Sequence, residues 1–99
     1  MSQDTRNLTL RTLDVLEALC GYAATGATNG ELAEAVKTSA PNITRAMAQL
    51  IEKGWARKDE QTGRFFPRPD FTRLAFRVMA DFDRITRRYD DMRRSMTGQ

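Results

Sequence analysis

Ninety-nine residues make one domain's worth of chain, and a composition 40% hydrophobic and 29% charged is that of an ordinary folded protein. There is no histidine and one cysteine, Cys20, so Ser-His-Asp or Cys-His nucleophiles, imidazole or thiolate zinc cages and an internal disulfide are excluded; no enzyme, metal or cofactor is expected. The net charge of +3 is uneven: residues 1–36 hold two Arg against five acids, whereas residues 37–68 hold seven Lys and Arg against three, a positive middle suited to phosphates.

Residues 1–7 are polar and read as a flexible lead-in. Leu10, Leu13, Leu16, Leu19, Cys20 and Ala23 then recur at three- and four-residue steps, predicting a first helix over 8–23 with Cys20 as a small buried hydrophobe. The stretch TGATNG breaks the chain. Thr28 followed three residues later by Glu31 is a capping box, opening a short second helix over 29–36 with Leu32, Ala33 and Val36 inward. Lys37 and Thr38 form the turn. Ser39 is the N-cap of a third helix with Pro41 in its first turn, Ile43, Ala46, Met47, Leu50 and Ile51 on one face, and Gly54 at its exit.

Trp55–Lys58 and Arg64–Pro67 flank a loop containing Gly63, the pattern of a hairpin, with Trp55 and one of Phe65 and Phe66 covering the core between the first and third helices. Asp70 reads as the cap of a final helix. Within it Phe71, Ala75, Val78, Phe82, Ile85, Tyr89, Met92 and Met96 alternate by four and three, a heptad seam. Its proximal part, Phe71 to Val78, is expected to pack on the first helix. Val78, Phe82, Ile85, Tyr89, Met92 and Met96 are expected to pair with a second subunit, in a direction the sequence leaves open. The expected fold is mostly α with a small β-hairpin: a winged helix-turn-helix over 8–69 and a long dimerisation helix over 70–97.

The succession LRTLDVLEAL, ELAEAV, KTSA, PNITRAMAQLIEKGW and ARKDEQTGRFFP resembles the DNA-binding domain of bacterial IclR-family regulators, with MarR-type domains second. The resemblance covers residues 8–75 and implies a transcription regulator whose third helix, 40–53, enters the major groove while the wing, 56–67, meets the backbone or minor groove. IclR regulators carry a large effector-binding domain after the wing. Only one helix follows it here, so no small-molecule ligand is expected. On the third helix Asn42, Thr44, Arg45 and Gln49 point outward; Asn and Gln amides suit adenine, and an Arg fork suits guanine or phosphate. Ser39, Thr28 and Asn29 are candidates for gripping the backbone, as are Lys58, Gln61, Thr62 and, most strongly, Arg64 on the wing.

The partners expected are double-stranded DNA with a palindromic site and a second copy of the chain. A protein-docking winged helix and a non-specific architectural DNA binder are the alternatives. No apolar run is long enough to cross a bilayer and the start MSQDTRN is unlike a signal peptide, so a bacterial cytoplasm or nucleoid, in a host or phage setting, is the expected location.

Overall fold

The computed structural model describes residues 6–97, so most of the lead-in expected at 1–7 lies outside the described residues. The order is α1 (Leu8–Cys20), α2 (Asn29–Val36), α3 (Ala40–Lys53), β1 (Ala56–Lys58), β2 (Phe65–Pro67) and α4 (Pro69–Thr97). This is the mostly helical chain with one small hairpin that the sequence predicts.

Caps set the helix limits. The Asn7 side chain accepts from the Leu10 amide at 2.9 Å and starts α1. At α2 the capping box is complete: Thr28 Oγ1 accepts from the Glu31 amide at 3.0 Å, and the Thr28 amide donates to Glu31 Oε1 at 2.9 Å. Lys37 closes α2 in the left-handed region at φ 62° and swings the chain toward α3. Ser39 caps α3 and Gly54 ends it, as their positions in the sequence predict.

α1, α2 and α3 pack around Val15, Leu16, Leu19, Leu32, Ile43, Met47 and Leu50. The hairpin closes the open side of this triangle. β1 and β2 run antiparallel with Arg57 opposite Phe66, and Phe65 is the Phe that turns into the core, beside a half-buried Trp55. Ala27 adds an isolated bridge to β2 that the sequence pattern did not reveal. Its amide and carbonyl both pair with Phe65, at 2.9 and 2.8 Å.

Besides Ile51, expected on the inward face of α3 but 40% exposed just past its last buried residue, four expectations need correction. First, α1 stops at Cys20 rather than residue 23, because a turn at Gly21–Tyr22 carries the chain toward Ala27. Second, the buried face of α1 is Arg11, Val15, Leu16 and Leu19, while Leu10, Leu13 and Cys20 are exposed. At 100° per residue, Leu13 lies roughly 160° round the helix from Val15, so α1 is apolar on two nearly opposite sides. Desolvation, then the Glu17 carboxylate, pushes the Cys20 thiol up.

Third, α4 begins at Pro69, which puts Asp70 in the first turn, bridged to Arg73 at 2.7 Å, instead of at the cap. Fourth, the proximal part of α4 does not lie along α1. Phe71 stacks on Trp55 with centroids 5.3 Å apart and Leu74 is half-buried, but from Ala75 onward the helix is exposed and Val78 is 55% accessible. The extents of 65 × 34 × 20 Å and the radius of gyration of 19.1 Å express this, since a compact chain of this length would have about 13 Å. Despite its 29 residues, α4 is too charged to cross a membrane.

Candidate nucleic-acid interface

α3 presents one face to the core and the other to solvent. Ile43, Ala46, Met47 and Leu50 are buried, which leaves Thr44, Arg45, Ala48 and Gln49 exposed and Asn42 half-exposed at the edge. The helix is held by its first turn. Asn29, at the start of α2, donates through Nδ2 to the Ala40 carbonyl at 3.3 Å and to Thr44 Oγ1 at 3.1 Å; Thr44 donates in turn to the Ala40 carbonyl at 3.2 Å. These bonds tie the N-termini of α2 and α3 together. Asn29 Oδ1 is buried without a hydrogen-bond partner, and it is the acceptor end of a group whose donors are spent on this clasp.

A second chain of bonds runs along the outer edge. Asn42 Nδ2 donates to Thr38 Oγ1 at 2.9 Å, and Asn42 Oδ1 accepts from the Arg45 guanidinium. The Asn42 amide therefore bridges the turn to Arg45 and fixes the direction of the fork. Sequence reasoning put both residues on the outward face but had no means of seeing that they pair with each other. Ser39, exposed at the cap, accepts from the Asn42 amide at 3.4 Å. Gln49 is exposed one turn beyond Arg45.

The wing is a tight loop. Asp59 Oδ1 accepts from the Gln61 amide at 2.9 Å, Thr62 Oγ1 accepts from the Arg64 amide at 3.2 Å, and Gly63 turns at φ 73°. The Gln61 amide, ahead of smaller contributions from Thr62 and Arg57, holds the Asp59 carboxyl below its usual range. Gln61 and Thr62 lie exposed at the tip, and Lys58 is exposed on β1 with its ammonium 5.8 Å from the Phe65 ring centroid.

Arg64 is placed differently from its neighbours. Its guanidinium donates to the Gly26 carbonyl at 3.0 Å and to Glu31 Oε1 at 3.3 Å, so it fastens the base of the wing to the N-terminus of α2. Glu31 is thereby shared between the capping box and the wing. The Thr28 amide, with Arg64 assisting, holds the Glu31 carboxyl below its usual range. Of the sequence-predicted residues, Asn29 and Thr44 join the start of α2 to that of α3, Asn42 and Arg45 pair with each other, and Arg64 anchors the wing's base.

Comparison with known families finds the IclR helix-turn-helix domain over residues 9–60, slightly more than half of the chain. The match runs from the second residue of α1 to the turn of the wing. No curated protein and no solved structure matches.

Proposed function

The chain belongs to the IclR helix-turn-helix domain family, a DNA-binding regulatory domain, and from that premise we propose that it regulates transcription as a homodimer that reads double-stranded DNA by sequence. The observation carrying this reading is the outward edge of α3, where Arg45 and Gln49 stand exposed one turn apart just beyond a clasped pair of helix N-termini. In this reading α3 lies in the major groove, with Arg45 offering its fork to guanine and Gln49 its amide to adenine. Asn42, occupied by Thr38 and Arg45, serves mainly to orient Arg45. Ser39, Thr28 and the amides around them meet phosphates, and Asn29 and Thr44 hold the two N-termini in register. Lys58, Gln61 and Thr62 touch the backbone or minor groove, while Arg64 keeps the wing seated.

Self-association is supported by the exposed seam of α4. Phe82 and Tyr89 are 66% and 63% accessible, and leaving such side chains in water forgoes about 1.5–3 kcal/mol each. A dimer presents two recognition helices and favours a palindromic site. The test is selection of bound fragments from a random DNA pool, followed by gel shifts of the winners in rising salt. An enriched two-fold motif is the expected result. Binding with no sequence preference would make the protein an architectural binder, and no binding even at low salt would turn the basic surface toward a protein partner.

A further inference from the structure

Beyond Phe71, which stacks on Trp55, the seam of α4 is unused by the rest of the fold, which raises the question of what covers it. Building on the homodimer reading above, we infer that the partner is a second α4 running antiparallel, about a two-fold axis between residues 83 and 84. The seam itself carries this inference. Run against itself in reverse at that register, it meets a second copy over its whole length. Phe71 then faces the partner subunit's Met96, Ala75 the partner subunit's Met92, Val78 the partner subunit's Tyr89 and Phe82 the partner subunit's Ile85.

Every layer joins unlike side chains, and the smallest residue meets a flexible methionine, the alternation that fills a core without voids or clashes. In a parallel, in-register pair the same positions would stack Ala75 on Ala75, leaving a gap, and Phe82 on Phe82 and Tyr89 on Tyr89, crowding the axis. The apolar pattern therefore has a preferred direction.

Charge points the same way. Asp81 and Arg88 occupy equivalent flanks of the seam, one heptad apart, and helices running antiparallel bring such flanks together. Each Asp81 then lies beside the partner subunit's Arg88, giving two symmetric ion pairs. Within its own helix Asp81 bridges Arg84 at 2.5 Å, while Arg73 and Arg94 are taken by Asp70 and Asp91; Arg88 has no such bridge among the described residues. A parallel pair would instead set Arg88 against the partner subunit's Arg93, two like-charge contacts. The start of α4 supplies a third argument. Leu13, Leu16, Cys20 and Phe71 line a shallow groove there, with Asp14 and Glu17 also lining it, and the antiparallel register lays the partner subunit's Met96 beside its apolar part. Met96 is 83% accessible in the single chain.

This arrangement puts the two winged domains at opposite ends of a rod. The two Pro69 positions fall roughly 44 Å apart along it at 1.5 Å per residue, more than one turn of DNA.

Disulfide trapping in the full chain tests the register. With Cys20→Ser as background, Ala75→Cys and Met92→Cys protein refolded together should give a covalent dimer on mild oxidation, because a–d layers bring Cα atoms within bridging range. Each variant alone should stay unlinked. A covalent dimer from Ala75→Cys alone would establish the parallel pair and overturn the inference. So would an unlinked mixture from a chain that sediments as a dimer. A chain that sediments as a monomer would instead remove the homodimer reading itself, so the two failures are distinguishable. A charge swap reads the same point by its sign. Arg88→Asp should weaken dimerisation by roughly tenfold, and Asp81→Arg/Arg88→Asp should restore it. In a parallel pair Arg88→Asp would strengthen association.

Discussion

Gly26 offers a quantitative test of how the wing is held to the body. Its φ of +78° lies in the left-handed region, which costs an alanine about 1–2 kcal/mol. An added Cβ would also stand 2.6 and 2.8 Å from two atoms of the Phe66 ring and 3.0 Å from Arg64 Cβ. The ring can swing aside only by leaving the Arg57 guanidinium, which sits 4.5 Å from its centroid. Overpacking of this kind costs about 1–3 kcal/mol, so Gly26→Ala should lose about 2–5 kcal/mol in all. Gly63 is the internal control. Its φ is +73° but nothing lies within 4 Å of an added Cβ, so Gly63→Ala should lose only the conformational part, about 1–2 kcal/mol. Thermal unfolding followed by circular dichroism reads the difference, with each kcal/mol moving the midpoint by roughly 4–8 °C in a domain this size. Equal losses for the two variants would refute the reasoning, because the contact between Gly26 and the Phe66 ring would then carry no weight.

Arg45→Ala should cost about 1–3 kcal/mol of binding to the selected site and relax its sequence preference. Asn42→Ala should cost less, and the double variant should bind no worse than Arg45→Ala; additive losses in gel shifts would mean that Asn42 reads DNA independently. Arg64→Ala should lower the unfolding midpoint while leaving the salt slope of binding unchanged, whereas Lys58→Ala should reduce that slope by about one unit. A reduced slope for Arg64→Ala would return it to the list of phosphate contacts. The Glu31 carboxyl, depressed mainly by the Thr28 amide and then by Arg64, adds stability above its unfolded pKa that is lost as pH falls through its folded value. Glu31→Gln should therefore be less stable than the parent at neutral pH and equal to it in strong acid; a constant gap across an acid titration of unfolding would contradict that linkage. Ile85→Asp should sediment as a monomer, and an unchanged mass would remove α4 from the interface.

The contrast between α3 and α1 explains what the sequence could and could not specify. α2 and α3 are readable to the residue because their limits are chemical. Thr28, Glu31, Ser39 and Gly54 act within one turn of where they stand, so local sequence contains the whole cause. α1 has no such advantage in choosing its face. Leu10, Leu13 and Cys20 recur at helical spacing as well as Val15 and Leu19 do, and only the packing of α2 and α3 decides which stripe is buried. The partners of Arg64 are hidden from the sequence for a related reason. Gly26 and Glu31 are 38 and 33 residues away from it, and no rule of charge or spacing connects them before the fold does. The heptad of α4 sits between these cases. Its period is local and legible, but a period states only that a stripe must be covered, and what covers it depends on the rest of the molecule. Because Phe71 and Leu74 alone are partly taken up by the body, the rest of the seam is left uncovered by this chain. In the antiparallel pair inferred above, the unlike sizes along the seam and the placing of Asp81 one heptad before Arg88 set the direction, information present in the sequence but readable only after the structure leaves the helix uncovered.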